Sequence, residues 1–511
     1  MTTADRTGGF SARPRSSARL RQHGRGTDEG VALVVSLLLM LALSTIGASV
    51  LMLAETETYS SMNYRMMSQA RYGAESGVLR AVNYFMNSYP PPGLTGDVLT
   101  NYDTNVSPVT YNNQPVVLSA VSSQAANYPF SPTQQGFSTA AQGTMNVGAT
   151  VSYSAYATLV SMRTVIEYGR TQPTVVQTWR VTGVGTLSGS RPASVEVSSV
   201  LERHIGPAYN FGVFATRVTC GAVTFGGASL HDSYDSSGMT MQNGAPVTDQ
   251  TGGSVGTNGN LTVQGNAQIY GTLSTPRTGV GNCKNGAVTA LTSTGSASVT
   301  EGVIQLPQSL TYPTPAPPNP MPPTTNLNIS DGDTCASLGI SAPTCTGPAG
   351  SLILDAQNGT VVFGNIQVTG NTTIHLRAGT FNLNSISVSG SSSLVIDTGP
   401  VVFNVAGQST NQPINLAGNS FSNPTFDPRN FQMIYAGTSP ITVTGGSEAA
   451  AMIYAPNSAI TLSGGSHFYG SILGAQVVDT GGTAFHYDRS LQDEYFIVGN
   501  YMMSSFTWKK Y

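Results

Sequence analysis

Charge is what this chain has least of. Acidic and basic residues make up 9% of its 511 residues, against about 25% in ordinary globular domains. Lysine occurs only at Lys284, Lys509 and Lys510, and the pI is near 6.1. That composition excludes a basic surface built to recruit nucleic acid. There are four cysteines, with no CxxC and no close histidine pair, so the usual zinc spacing is missing. No glycine-rich loop ends in Lys-Ser/Thr, which excludes an ATP motor, and no cofactor is expected. Without charge, the surface must be built from Ser, Thr, Asn, Gln and the 57 glycines. Disorder does not follow, because 40% of residues are hydrophobic and recur in short runs.

What is present in abundance comes first in the chain. Residues 31 to 54, VALVVSLLLMLALSTIGASVLMLA, hold no charge. As a helix at roughly 1.5 Å per residue they reach about 36 Å, enough to cross a hydrocarbon core of roughly 30 Å. Past Glu55 and Glu57 the sequence stays free of proline and helix-compatible to about Asn87. Residues 1–30 carry six arginines against Asp5, Asp28 and Glu29, a formal +3. A basic flank holds the leader in the cytoplasm and sends the body across the inner membrane. The apolar run is longer than the roughly 7–15 residues of a cleaved signal peptide, which stays the alternative.

The run opens with Gly30-Val31-Ala32-Leu33-Val34-Val35, and the helix later carries Ala70-Arg71-Tyr72-Gly73-Ala74-Glu75-Ser76-Gly77. With these motifs, residues 29–86 resemble the N-terminal domain of the PilX family, proteins associated with type IV pilus assembly. The resemblance implies a pilin-like subunit whose partners are the inner membrane and other pilin-like subunits or assembly proteins. It also implies a processing site between Gly30 and Val31. Pilins usually carry Glu five residues after the cut, whereas Val35 stands there in this chain. A minor or accessory subunit fits that departure better than a major one. Met62, Met66, Ala70, Ala74, Val78, Val82 and Met86 recur every four residues, a stripe that winds around a 3.6-residue helix. It is read as packing on the body's own sheet, on neighbouring subunits, or on each in turn.

Pro90-Pro91-Pro92 ends the helix, and 89–147 reads as an irregular connector. Period-two alternation then marks 151–160, 175–184 and 194–201, with Ser188 to Pro192 as a turn, so 148–205 is expected to form a small antiparallel sheet on the helix. From 206 a motif repeats: Leu261-Thr-Val-Gln-Gly265, Ile366-Gln-Val-Thr-Gly370, Ile386-Ser-Val-Ser-Gly390, Ile441-Thr-Val-Thr-Gly445 and Ile460-Thr-Leu-Ser-Gly464. A step of about 20 residues suggests coils of a parallel β-helix over 206–306 and 346–488. An antiparallel sandwich is the runner-up. The Pro-rich stretch within 307–345 reads as a loop, and 489–511 as a C-terminal tail. The fold expected is mostly β, with one long transmembrane helix.

Little of the remaining chemistry converges. Cys335–Cys345 and Cys220–Cys283 are the preferred disulfides of three possible pairings. His204, His231, His375, His467 and His486 are scattered, and His231-Asp232 and His486-Tyr-Asp488 read as structural hydrogen-bonding pairs. Asp331-Gly-Asp333 lacks the further oxygens of a calcium loop. No catalytic or metal residues are assigned. The function expected is a non-enzymatic type IV pilus-like assembly or minor-pilin protein, displaying its body to a surface glycan or protein. The alternative is a membrane-tethered, carbohydrate-active β-helix enzyme.

Overall fold

The computed structural model describes residues 28–93, 96–189, 192–416, 420–444, 446–464 and 466–510. The basic leader up to residue 27, Ser190 and Arg191 of the expected turn, and the repeat glycine at 445 lie outside them. The protein is mostly β, with a long N-terminal apolar helix, an antiparallel sheet and a closed parallel sheet.

Helix α1 runs Asp28–Asn87 without a break, about 90 Å at 1.5 Å per residue. It stops where the Tyr84 carbonyl takes both the Ser88 and Tyr89 N–H groups, at 2.8 and 2.9 Å, just before the three prolines. Residues 31–65 are exposed, and burial begins beyond them. The buried set is Gln69, Ala70, Gly73, Ala74, Gly77, Val78, Ala81, Val82, Tyr84 and Phe85. Those spacings of three and four follow the true helical period. The expected four-residue stripe therefore splits: Ala70, Ala74, Val78 and Val82 face the sheet, while Met62 and Met86 face outward.

The sheet beneath α1 orders its strands Val117–Ser119, Thr150–Ile166, Pro173–Leu187, Ala193–Pro207 and Phe496–Lys510, all antiparallel, with Gln142–Asn146 alongside Thr150–Ile166. Two expectations are corrected here. The C-terminal segment is no tail: it pairs from Phe496↔Pro207 to Lys510↔Val195. Its partner lies some 300 residues upstream, beyond the reach of local pattern. Nor is the connector wholly irregular, since helix α2 (Ser131–Ala140) and two strands of the sheet come from it. Buried Asp97 clasps it, accepting from the hydroxyls of Tyr102 at 2.8 and 2.9 Å and of Tyr128 at 2.8 Å.

Residues 213–488 stack parallel strands on three faces. On the first, Phe381, Phe403, Met433, Ile453, Ile472 and Val213 lie in successive register. On the second, Ile366 lies over Ile386, and Ile441 over Ile460. On the third, Leu352, Ile374, Leu394 and Phe421 follow one another. These side chains are buried along one continuous core. Apart from short hairpin pairs, the strands are parallel, so the antiparallel sandwich is ruled out.

The order of stacking differs from the order of the chain. The first coil, 213–234, sits in the middle, under 255–269 on one side and against the last coil, 472–488, on the other. The chain winds outward to Val303–Gln305, returns to the far end, and winds back from Asn326–Ile329. The Pro-rich stretch makes that return as a strap, not a loose loop. Leu310 exchanges two 2.8 Å bonds with Asn258, Pro313 O accepts from Tyr454, and Pro320 O accepts from Asn382 at 2.9 Å. Spanning about nine strand spacings of roughly 4.8 Å needs an extended chain, and 18 residues at about 3.1 Å each supply about 55 Å. The second block therefore starts at Asn326, inside the expected excursion.

Candidate functional site

Among the described residues, the N-terminal half of α1 packs against no other element. From Val31 through Leu53 its large apolar side chains are exposed, Leu41 by 61%. By length and composition this segment can cross a membrane. Three of its four hydroxyls are satisfied within the helix: Ser36 Oγ donates to Leu33 O at 2.9 Å, Thr45 Oγ1 to Ala42 O at 2.8 Å, and Ser49 Oγ to Thr45 O at 2.8 Å. A hydroxyl bonded to its own helix brings no unmet donor into hydrocarbon. Val31 opens this surface, one residue after Gly30, whose backbone is already helical. The proposed processing position is therefore at the tip of the helix.

The other half of α1 is locked to the body. The small residues of the Ala70-to-Gly77 motif bring helix backbone against sheet backbone. A Cβ built on Gly185 would lie 1.9 Å from Ala70 O, and one on Gly183 would lie 2.1 Å from Ala74 O. Only glycine on both strand positions allows this approach. Charge stays off the contact, with Arg71 and Glu75 paired at 2.7 Å on the outer side. At the far end Phe85 and Tyr89 pack among Trp179, Phe137 and Tyr501, and Tyr501 donates to Gln177 at 2.6 Å. Burial raises the Asp97 carboxyl above its ordinary range, while the Tyr128 and Tyr102 hydroxyls pull it back. The helix runs unbroken from this seat into its exposed half.

The remaining sequence candidates are dispersed. Cys220 is bonded to Cys283 and Cys335 to Cys345; the second pair and nearby Leu338 and Ile340 lie against one end of the parallel core. Asp333 accepts from Ser330 and Ser337, a turn rather than a cation site. His375 pairs with Asp397 at 2.8 Å. One grouping was invisible in the sequence: Asp232 Oδ1 and His486 Nδ1 are 2.5 Å apart, and His486 Nε2 and His467 Nδ1 are 2.8 Å apart. Its members are brought together from the first and last coils, 254 positions apart, so no local signal could have found it. Burial and neighbouring His486 lower the pKa of His467. Among the described residues no group of three or more His, Cys, Asp or Glu is set to hold a metal.

Residues 29–79 match the PilX N-terminal family, and residues 330–494 match a family described as a domain of unknown function, DUF7305. No curated protein matches the chain. The competence-associated pilin ComZ of Thermus thermophilus is similar over 87% of this chain and 97% of its own, at 13% identity and a TM-score of 0.21. That score is too low to transfer one arrangement onto the other. The N-terminal segment is PilX-like, which makes the chain pilin-like and type IV pilus-related, and points to a structural protein rather than an enzyme. With the apolar helix, it marks a membrane-anchored envelope protein.

Proposed function

We propose that this chain is a minor or accessory subunit of a type IV pilus-like assembly. Helix α1 crosses the inner membrane once, with the basic leader in the cytoplasm and the body exported. The exposed half also meets the helices of other pilin-like subunits or assembly proteins. Residues 213–488 are a parallel β-helix, a solenoid that displays a surface for adhesion or structural contact. The divisions follow from this: a leader to residue 30, an anchor helix to 88, a connector to 147, a pilin-like sheet from 148 to 205 that the C-terminal strand completes, and the solenoid with its strap. A prepilin-type cut falls between Gly30 and Val31.

One observation carries the reading. The same helix is unburied over its uncharged half and backbone-tight against a sheet over the other, so its free half has no role in holding the body together. The solenoid is supported by parallel registers repeating about every 20 residues, as at Val368↔Val388.

Leu41→Arg tests the anchor. An arginine at mid-membrane costs roughly 2.5–3.5 kcal/mol to insert, while Leu41 touches nothing in the body. Membrane retention and pilus association should fall, with hydrogen exchange of residues 150–205 unchanged. Wild-type fractionation and piliation in this variant would overturn the reading. Sequencing the mature N-terminus from membrane and sheared-fibre fractions tests the cut, and an intact Met1 in both would refute it.

A further inference from the structure

The three faces of the parallel stack are not equally available. The first is closed by the antiparallel sheet and the strap, where Tyr168, Tyr209, Tyr312 and Tyr454 pack together. The third is covered at mid-height by Tyr234, Met239 and Phe426. Lower down it carries charge, with Arg377 lying 3.7 Å from Asp355 and 3.9 Å from Asp397. Among the described residues, nothing covers the second face.

Its outward position runs in register from Asn328 through Gln367, Ser387, Asn415 and Thr442 to Thr461. Above Val478 the same position is threonine on three further rungs. No rung is charged. At roughly 4.8 Å per strand the row is about 43 Å long. Asn328, Gln367, Ser387, Asn415 and Thr461 reach solvent, and their side chains have no hydrogen-bond partner among the described residues.

We infer that this face docks a neutral polysaccharide, an inference that rests on the display role proposed above. The absence of charge removes the attraction that polyanions need. The row offers neither the aromatic nor the arginine anchors on which protein interfaces concentrate their energy, and no apolar area for lipid. What it offers is amides and hydroxyls that both donate and accept, the same capacity that sugar hydroxyls present. A repeating chain meets repeating rungs, so weak single contacts add through multivalency.

The test is native affinity electrophoresis of the full chain in a neutral detergent, in gels containing dextran, hydroxyethylcellulose or anionic alginate. Retardation by at least one neutral polymer and none by alginate is expected. Combined Gln367→Ala, Ser387→Ala and Asn415→Ala should weaken it about tenfold or more, from the loss of three hydrogen-bonding groups. Thr461→Arg, a single outward change that adds bulk and charge, should also weaken it. Arg377→Ala, on the third face, should leave it unchanged. No retardation by either neutral polymer, equal retardation by alginate, or unchanged binding in both ladder variants overturns the inference. Membrane fractionation of the same chains separates the two readings. Failure to bind in a protein whose fractionation still responds to Leu41→Arg removes the polysaccharide alone and leaves the anchor standing.

Discussion

His231 occupies an inward position that Phe485 and Ile269 hold on the neighbouring strands of the third face. Its ring stacks on Phe485 with centroids 5.4 Å apart and sits 3.8 Å from Phe225. It is 1% exposed, and its Nε2 has no hydrogen-bond partner among the described residues. Burial, helped by His486, pushes its pKa from 6.5 down to about 3. The unfolded chain therefore takes up this proton before the folded one does. Stability is complete above about pH 6.5 and is lost as pH falls from there toward 3, at about 1.4 kcal/mol per unit. At pH 5 the loss is about 2 kcal/mol. His231→Leu removes the titration, and it also relieves an unmet nitrogen worth about 1–3 kcal/mol. The variant should be the more stable chain at pH 7.5, and its advantage should grow by about 2 kcal/mol at pH 5. Both tryptophans, Trp179 and Trp508, lie in the antiparallel sheet, so fluorescence would not report on this region. Hydrogen exchange over residues 213–234 and 467–488, compared between the two chains at each pH, reads it directly. Every other titrating group is common to both and cancels in the difference. An advantage that stays constant between pH 7.5 and 5, or a wild type more stable at pH 5, would refute the account.

Two further outcomes follow from the register and the seat. Val388→Asp buries an unpaired carboxylate and should destabilise the parallel stack by several kcal/mol, whereas Ser389→Asp faces solvent and should change it little; equal effects in chemical denaturation followed by circular dichroism would show the inward assignment to be wrong. Gly185→Ala should push α1 off the sheet and cost about 1–3 kcal/mol, while Gly47→Ala, with nothing within 4 Å, should leave the body untouched; equal hydrogen exchange of residues 150–187 in the two variants would contradict the close backbone contact.

Local chemistry made several elements readable from sequence. An uncharged run of membrane length, period-two strands and a 20-residue repeat are each set by side chains close together in the chain. Hence the helix, the strands at 150–207 and the equivalence of Val368 with Val388 could be inferred without coordinates. The anchor half of the candidate site was legible for the same reason. Its seat was not: the meaning of Ala70, Gly73 and Ala74 depends on Gly183 and Gly185, over a hundred residues away. Tertiary structure alone decided the closures. Phe496–Lys510 looks like a tail until Ala193–Pro207 accepts it as a neighbouring strand. The first coil looks like a beginning until the last coil docks beneath it, and the prolines look like a loop until they are seen spanning the stack. Asp232 meets His486 only because those two coils meet. Periodicity records which way a side chain faces, but pairing between distant strands depends on which exposed edges find each other once the chain has collapsed, and no window of neighbouring residues contains that information.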